Sequence, residues 1–174
     1  MYFEGEKISQ NYPEAMKWYR KAADQNNPSA QFNLAVMYDL GKGVAKSATE
    51  AINWYSKSAN QGDKDAQYNL GYKYEHGEGV PQDYTLAISW YKKSADQGYS
   101  DAQFNLGVLY ENGKGVVKDE NEAIKWYRKA ALQGDAQAQF NLGIVYENGA
   151  NQDYAEARRW YELAASQGDP QAQL

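Results

Sequence analysis

Ala102-Gln103-Phe104-Asn105-Leu106-Gly107 recurs on either side of itself, as Ala66-Gln67-Tyr68-Asn69-Leu70-Gly71 and as Ala138-Gln139-Phe140-Asn141-Leu142-Gly143. Tryptophan follows the same period, with steps of 36, 36, 36 and 34 residues between Trp18, Trp54, Trp90, Trp126 and Trp160, each of which precedes a tyrosine. Self-similarity at such a period is the signature of a repeat array whose units bury their apolar faces against each other.

Each unit contains two apolar-periodic stretches, which we call helix A and helix B, joined by a glycine-containing connector. In the first full unit, Ala30, Leu34, Met37 and Tyr38 have the i, i+4, i+7, i+8 spacing of one buried helical face. The sequence therefore predicts an all-α fold and a single array domain over residues 1–174. Its units are a partial repeat at 1–27, repeats at 28–63, 64–99 and 100–135, a shortened repeat at 136–169 and the start of a truncated repeat at 170–174.

Local signals predict where the helices begin and end. Asn27-Pro28 and Asp169-Pro170 are typical of an N-cap followed by the first residue of helix A. Four helix B copies carry the spacing of a capping box, and only Asp83 has an apolar residue three positions later; the four pairs are Asn11/Glu14, Ser47/Glu50, Asp119/Glu122 and Asp153/Glu156. Left-handed caps are predicted after helix B at Gly62, Gly98, Gly134, Gly168 and Asn26. Valine in the first three connectors is expected to enter the core, and the fourth connector is two residues shorter.

The composition limits the class of protein. Hydrophobic residues make up 43% of the chain and aromatic residues 14%, which is enough to build a core. The net charge of −5 argues against nucleic acid or an anionic membrane as the main partner, because both attract basic surfaces. No apolar run approaches the ~18 residues of a membrane span, so membrane insertion is not predicted. The absence of cysteine excludes disulfides and thiolate chemistry.

The unit Ala-Gln-Phe-Asn-Leu-Gly-x-x-Tyr-x-x-Gly-x-Gly-Val, followed by Glu-Ala-x-x-Trp-Tyr-x-x-Ala-Ala-x-x-Gly, closely resembles the Sel-one-like repeat family over essentially the whole chain. The resemblance implies a right-handed α/α superhelix of antiparallel helix pairs, similar to tetratricopeptide arrays. It also implies binding of proteins rather than catalysis, with no cofactor, and it slightly favours a bacterial envelope or secreted location. Some members carry one disulfide per repeat, and this cysteine-free sequence departs from them.

In related tetratricopeptide arrays helix A lines the concave surface, and the resemblance places one asparagine of each unit there: Asn33, Asn69, Asn105 and Asn141. An amide both donates and accepts, so this ladder could bind an extended peptide backbone; hydrogen bonding between repeats is the structural alternative. Further along helix A the residues differ between units, first at Val36, Tyr72, Val108 and Ile144, and then at Leu40, His76, Asn112 and Asn148. Positions that pack repeat on repeat should stay alike, whereas positions that contact a ligand can differ. Tyr72 and His76 are therefore predicted to set specificity, although Tyr72 could equally be an ordinary half-buried aromatic residue.

A ladder of carboxylates lies near the C-terminal end of helix A, at Asp39, Glu75, Glu111 and Glu147. The helix macrodipole disfavours an anion there by ~0.3–1 kcal/mol, so another interaction must compensate. Hydrogen bonds to the connector or to the next helix B are the favoured explanation, and recognition of a basic ligand is the alternative. With Asp65 and Asp101 the ladder predicts an acidic surface that suits lysine or arginine in a partner.

Helix B carries most of the lysines and arginines, which we expect to form a solvated outer face, since no aromatic residue is interleaved there to stack on bases. The Trp-Tyr pairs are expected to pack in the core or between repeats. Ser89-Trp90-Tyr91-Lys92 matches the Ser-x-x-Lys motif of penicillin-recognising enzymes, but its companion motifs are missing and we interpret the match as coincidence. His76 is the single histidine, and no metal site is predicted.

Three functions follow from these patterns. The first is a non-enzymatic scaffold that binds a peptide or protein segment on the concave helix A surface. The second is end-to-end self-association, because Met1-Tyr2 aligns with the end of a helix A and Gln171 to Leu174 with the first turn of another, as in a segment of a longer array. The third and most remote is a hydrolase or penicillin-recognising activity at Ser89.

Overall fold

The part of the chain that the structure describes consists of helices of equal length joined by turns and short connectors. The structure, a computed structural model, describes residues 11–150 and 152–168. The helices are α1 (Tyr12–Asp24), α2 (Pro28–Leu40), α3 (Ala48–Asn60), α4 (Lys64–His76), α5 (Tyr84–Asp96), α6 (Ser100–Asn112), α7 (Glu120–Leu132), α8 (Ala136–Asn148) and α9 (Tyr154–Ser166). Helix A corresponds to α2, α4, α6 and α8, and helix B to the odd-numbered helices. The predictions for residues 1–10 and 169–174 lie outside the described residues.

Consecutive helices form one continuous row. Each helix packs against the helix before it and the helix after it, and the contact is most extensive between helix A and helix B of the same repeat. A helix pair buries one face internally and still presents an apolar face to the next pair, which is why the pairs stack. This arrangement confirms the predicted all-α solenoid.

The core consists of two apolar clusters that meet in the middle of the array. The first extends from Ala23 to Leu70 and the second from Ala87 to Trp160. Tyr74 of α4 is half-buried and packs against both. In three repeats the tyrosine after the tryptophan is the largest side chain that is fully buried, at Tyr55, Tyr91 and Tyr127.

The tryptophans depart from uniform core packing at one end. Trp54, Trp126 and Trp160 are buried, as expected, and Trp90 is half-buried. Trp18, by contrast, is 57% exposed. On the outer face the ammonium groups of Lys57, Lys93 and Lys129 lie 3.8–3.9 Å from the ring centres of the tryptophans three residues before them. Lysines of helix B therefore contact tryptophan rings, although Trp54 and Trp126 are themselves buried.

The N-termini of helix B are capped by side chains, but the capping box is only half formed. Ser47 and Asp119 accept hydrogen bonds from the backbone N–H groups of Glu50 and Glu122, as predicted. The backbone N–H of each cap residue, however, donates to a tyrosine carbonyl near the end of the preceding helix A, as from Ser47 to Tyr38 at 2.9 Å. Because the box glutamate is not needed for that bond, the same geometry is present at Asp83, which lacks one.

The turns follow the predicted glycine pattern except in the last repeat. Asn26 (φ +66°) and the four predicted glycines adopt left-handed backbone after helix B; asparagine is one of the few other residues that tolerate this region. Gly113 caps α6 in the same conformation, and Val116 beyond it is half-buried against the core. In the shortened connector Gly149 is extended instead, and the N–H of Ala150 donates to Glu120 of α7.

Candidate functional site

The asparagine ladder lies half-buried along helix A. The side-chain N–H groups of Asn33 and Asn69 donate to carbonyls four residues earlier, at 2.9 and 2.8 Å. Asn105 instead interacts with the hydroxyls of Tyr68 and Tyr91, and Asn141 with that of Tyr127. These contacts use part of each amide's capacity, since the group carries two N–H donors and an acceptor oxygen.

The positions that vary between repeats lie at the exposed end of helix A. Asn112 and Asn148 donate to the carbonyls of Val108 and Ile144, four residues earlier in the same helix, at 2.8 and 3.4 Å. In α4 the same relation joins His76 and Tyr72: Nδ1 of His76 lies 3.0 Å from the Tyr72 carbonyl, so that nitrogen carries the proton in this bond.

Tyr72 and His76 also form a stacked pair. Their ring centres are 4.0 Å apart, with 24° between the ring planes. His76 is exposed and Tyr72 is 36% exposed, so both rings are in part accessible to solvent. The chain's single histidine is thus engaged with an aromatic ring on the helix A surface.

Three carboxylates of the acidic ladder accept hydrogen bonds from the next helix B. The hydroxyls of Tyr91, Tyr127 and Tyr161 donate to Glu75, Glu111 and Glu147 at 2.7, 2.6 and 2.8 Å. Burial, and then the bond to Glu147, raise the pKa of Tyr161 to about 12, and burial with Glu75 and Glu111 raises those of Tyr91 and Tyr127 further. These bonds are the structural explanation for carboxylates at a helix C-terminus.

Asp39 breaks the ladder because it pairs with a buried lysine of the next repeat. The Lys73 ammonium lies 2.8 Å from Asp39 and 2.7 Å from Glu78, and Lys73 is only 5% exposed. Burial lowers the pKa of Lys73, but the two carboxylates outweigh burial and raise it overall. Other repeats have Met37, Leu109 and Val145 at this position. The sequence did not single out Lys73, although a lysine at an apolar position of the pattern was the available signal.

A third ladder, of buried glutamines, was not predicted from the sequence. The glutamine of each Ala-Gln-Phe-Asn-Leu-Gly segment donates to a carbonyl at the end of the preceding helix B and accepts from a glutamine after the following one. In the central repeat, Nε2 of Gln103 lies 3.0 Å from the Ala95 carbonyl, and Oε1 of Gln103 accepts from Gln133 at 2.7 Å. The same contacts recur at Gln31, Gln67 and Gln139. Strict recurrence of a polar residue at a core position was the signal.

The structure offers little support for an enzyme active site at Ser89. Ser89 is exposed on α5, at the outward position that Asn53 and Lys125 occupy in other repeats. Within residues 11–150 and 152–168 no three histidine or carboxylate side chains are grouped so as to hold a metal ion. None of the described helices has the length and apolar character needed to cross a bilayer.

Solved structures of similar sequence share this fold. The chain is 39% identical to c5321, a protective antigen of uropathogenic Escherichia coli strains with an SLR fold; the match covers 97% of this chain and 37% of that one, with a TM-score of 0.93. It is 44% identical to a Sel1 repeat protein from Oxalobacter formigenes, covering 95% of this chain and 68% of that one, with a TM-score of 0.85. Cysteine rich protein B of Helicobacter pylori is 26% identical, with coverages of 78% and 97% and a TM-score of 0.58.

The repeats themselves identify the family. Sel1 repeats match residues 1–27, 28–63, 64–99, 100–135 and 136–169. A comparison with curated proteins gave no match. Proteins built from Sel1 repeats are generally non-catalytic scaffolds that bind other proteins. Since the repeats account for nearly all of its residues, the chain belongs to the Sel1 repeat family.

Proposed function

We propose that this chain is a non-enzymatic scaffold that binds a peptide or protein segment along the helix A surface. The residues of that surface are Asn33, Asn69, Tyr72, His76, Asn105, Val108, Asn112, Asn141, Ile144 and Asn148. One observation carries the proposal: among the described residues, the hydrogen bonds of the exposed side chains His76, Asn112 and Asn148 stay within their own helix. A change at these positions should therefore leave the stacking of repeats intact. Side chains that are variable, polar and exposed on a rigid array are suited to recognise a partner.

The charge of the chain favours a partner segment that carries basic residues. The net charge is −5, and Asp65 and Asp101 stand at the start of two helix A copies. Glu75, Glu111 and Glu147 each accept a hydrogen bond from a tyrosine hydroxyl, a neutral donor that brings no positive charge to the carboxylate. Opposite charges steer association and penalise unsuitable partners.

A peptide display selection with paired variants tests the proposal. One variant combines His76→Ala, Asn112→Ala and Asn148→Ala on helix A. Its control combines Asn53→Ala, Ser89→Ala and Lys125→Ala, one exposed helix B residue per repeat. Peptides selected on the wild-type chain should bind the helix A variant about tenfold more weakly in calorimetry, a loss of ~1.4 kcal/mol, and bind the control unchanged.

Several outcomes would contradict this assignment. Equal binding to wild type and to the helix A variant would remove these residues from the site, and weaker binding to the control would move the site to helix B. Melting temperatures of both variants should stay near that of wild type, because the altered side chains are exposed. Light scattering over a concentration series checks the alternative, since self-association would appear as growth in mass without added peptide.

A further inference from the structure

Three tyrosines on the helix A surface depart together from the repeat pattern. Tyr68, Tyr72 and Tyr99 all lie within the repeat at 64–99, and Tyr99 is the cap residue of α6, the first helix of the next repeat. The other repeats have Phe32, Phe104 and Phe140 in place of Tyr68, Val36, Val108 and Ile144 in place of Tyr72, and Asn27, Asp63 and Asp135 in place of Tyr99. Departures that coincide in one place suggest a local role, because a repeat array otherwise needs the same residues in each unit.

The structure brings these tyrosines into one cluster between α4 and α6. The rings of Tyr68 and Tyr99 are 4.9 Å apart between centres and inclined by 35°. Tyr72 follows one turn after Tyr68 on α4 and is close enough to influence its ionisation. Tyr68 and Tyr99 are half-buried and Tyr72 is exposed, so the cluster faces solvent with its rings partly available.

Tyr99 weakens the start of its own helix. At the other helix A copies, the cap residues Asn27, Asp63 and Asp135 accept a backbone N–H at 2.8–2.9 Å. Among the described helices α6 alone begins without a side-chain cap, and the neighbouring Ser100 hydroxyl is buried with no hydrogen-bond partner within the described residues. A residue that forfeits a stabilising cap is best explained by a role outside helix stability.

Two carboxylates are close enough to the tyrosine cluster for their charges to act on Tyr99. Burial raises the pKa of Tyr99, and the charges of Asp101 and Asp65 raise it further. Burial, and then the charge of Asp135, raises the pKa of Asp101, although Asp101 as a whole residue is exposed. A cation placed here would relieve that repulsion. The ammonium of Lys64 already lies 5.9 Å from the Tyr99 ring centre, at the outer limit of a cation–π contact.

We propose that Tyr68, Tyr72 and Tyr99, with Asp65 and Asp101, form a recognition site for one lysine or arginine side chain of the bound protein segment. The site rests on the proposed function and makes it more specific, because it names the chemistry of one partner residue. Tyrosine faces attract cations, and the neighbouring carboxylates add direct charge attraction. The alkyl stem of a lysine or arginine can pack on the same rings.

Titration with short peptides tests the site without a natural partner. The 15N-labelled chain is titrated with acetyl-Gly-Lys-Gly-amide, with its arginine counterpart and with a neutral norleucine counterpart. The cationic peptides should shift the amide signals of α4 and of the first turn of α6, and the norleucine peptide should not. Added salt should weaken the binding of both cationic peptides, since the carboxylates are partly exposed and salt screens their charge.

Variants drawn from the repeats themselves provide the contrast. Tyr68→Phe with Tyr72→Val and Tyr99→Asp installs residues found at these positions in other repeats, so the chain should fold, and the restored cap should raise its melting temperature. Its affinity for the cationic peptides should fall at least fivefold. Asp101→Asn should lower the affinity for the cationic peptides severalfold. Asp96→Asn, the same change at an exposed position of helix B, should leave that affinity unchanged.

Two outcomes would overturn the inference. One is equal shifts with the norleucine peptide, which would indicate apolar contact only. The other is unchanged affinity in the triple variant. Either result leaves the proposed function standing, because peptides selected by display are tested separately with His76, Asn112 and Asn148. Of these only His76 touches the tyrosine cluster, through its stacking on Tyr72.

Discussion

Single glycines inside helix A determine how closely helix B can approach. A Cβ added at Gly107 would overlap the Tyr127 ring, which is buried and held by its bond to Glu111. Gly107→Ala should therefore cost about 1–3 kcal/mol through overpacking. A helix-interior glycine replaced by alanine ordinarily gains ~0.5–1 kcal/mol, so the predicted sign is reversed. Urea unfolding measures this change in the free energy of unfolding.

The first repeat supplies the matched control for Gly107. Ala35 occupies the equivalent position in α2 and is fully buried. Ala35→Gly should destabilise the chain by about 1 kcal/mol, because that site accommodates the methyl group and the helix loses an alanine. A stabilised Gly107→Ala variant would show that the Tyr127 ring moves aside without cost.

Departures from the repeat pattern were visible in the sequence at single residues, although their role in specificity stays a prediction. Tyr72 and His76 stand out against Val108 and Asn112, and the structure places them in contact on the exposed surface. Lys73 was as visible but its partners were not, because its pairing with Asp39 joins two repeats. A period identifies equivalent positions, but it does not say which side chains of adjacent repeats touch.

Helix-to-helix registration depends on the glutamine ladder. Gln103 is 4% exposed and links the end of α5 to the cap residue of α7, at Ala95 and Gln133. Gln103→Leu removes both bonds and should cost about 1–3 kcal/mol, because buried polar partners lose their pairing. Gln137→Leu, the same change at an exposed position of α8, should stay within about 0.5 kcal/mol of wild type. Equal thermal stability of the two variants would mean that water replaces the ladder.

Element boundaries were predictable because their causes are local. Cap side chains and left-handed turn residues act within a few positions of the chain, and the structure has them at Ser47, Asp119 and Asn26 as expected. The missed half of the capping box is not local: the N–H of Ser47 donates to Tyr38 in the preceding helix. Short-range patterns do not reveal a competing acceptor that only the packed helix pair provides.

At the scale of the whole molecule, the period alone predicted the array and the order of its helices. It did not predict that the apolar core divides into two clusters, one from Ala23 to Leu70 and one from Ala87 to Trp160. The division follows from packing between particular side chains, with Tyr74 contacting both clusters. Nor does a period specify the partner, since recognition depends on the residues that depart from it.

Because the core is divided, a destabilising substitution in one cluster should lower the protection of backbone amides unevenly along the chain. Leu106 of α6 is fully buried in the second cluster, so Leu106→Ala should cost about 2–5 kcal/mol by leaving a cavity. In a repeat array each unit depends on its neighbours, so the loss should be greatest in α5 to α8 and smaller in α2 and α3. Hydrogen exchange read by mass spectrometry resolves the two regions. Leu132→Ala in the same repeat is the control, because Leu132 is 74% exposed and should leave exchange unchanged. Uniform loss of protection from α2 to α8 in the Leu106→Ala variant would mean that the two clusters unfold as one cooperative unit.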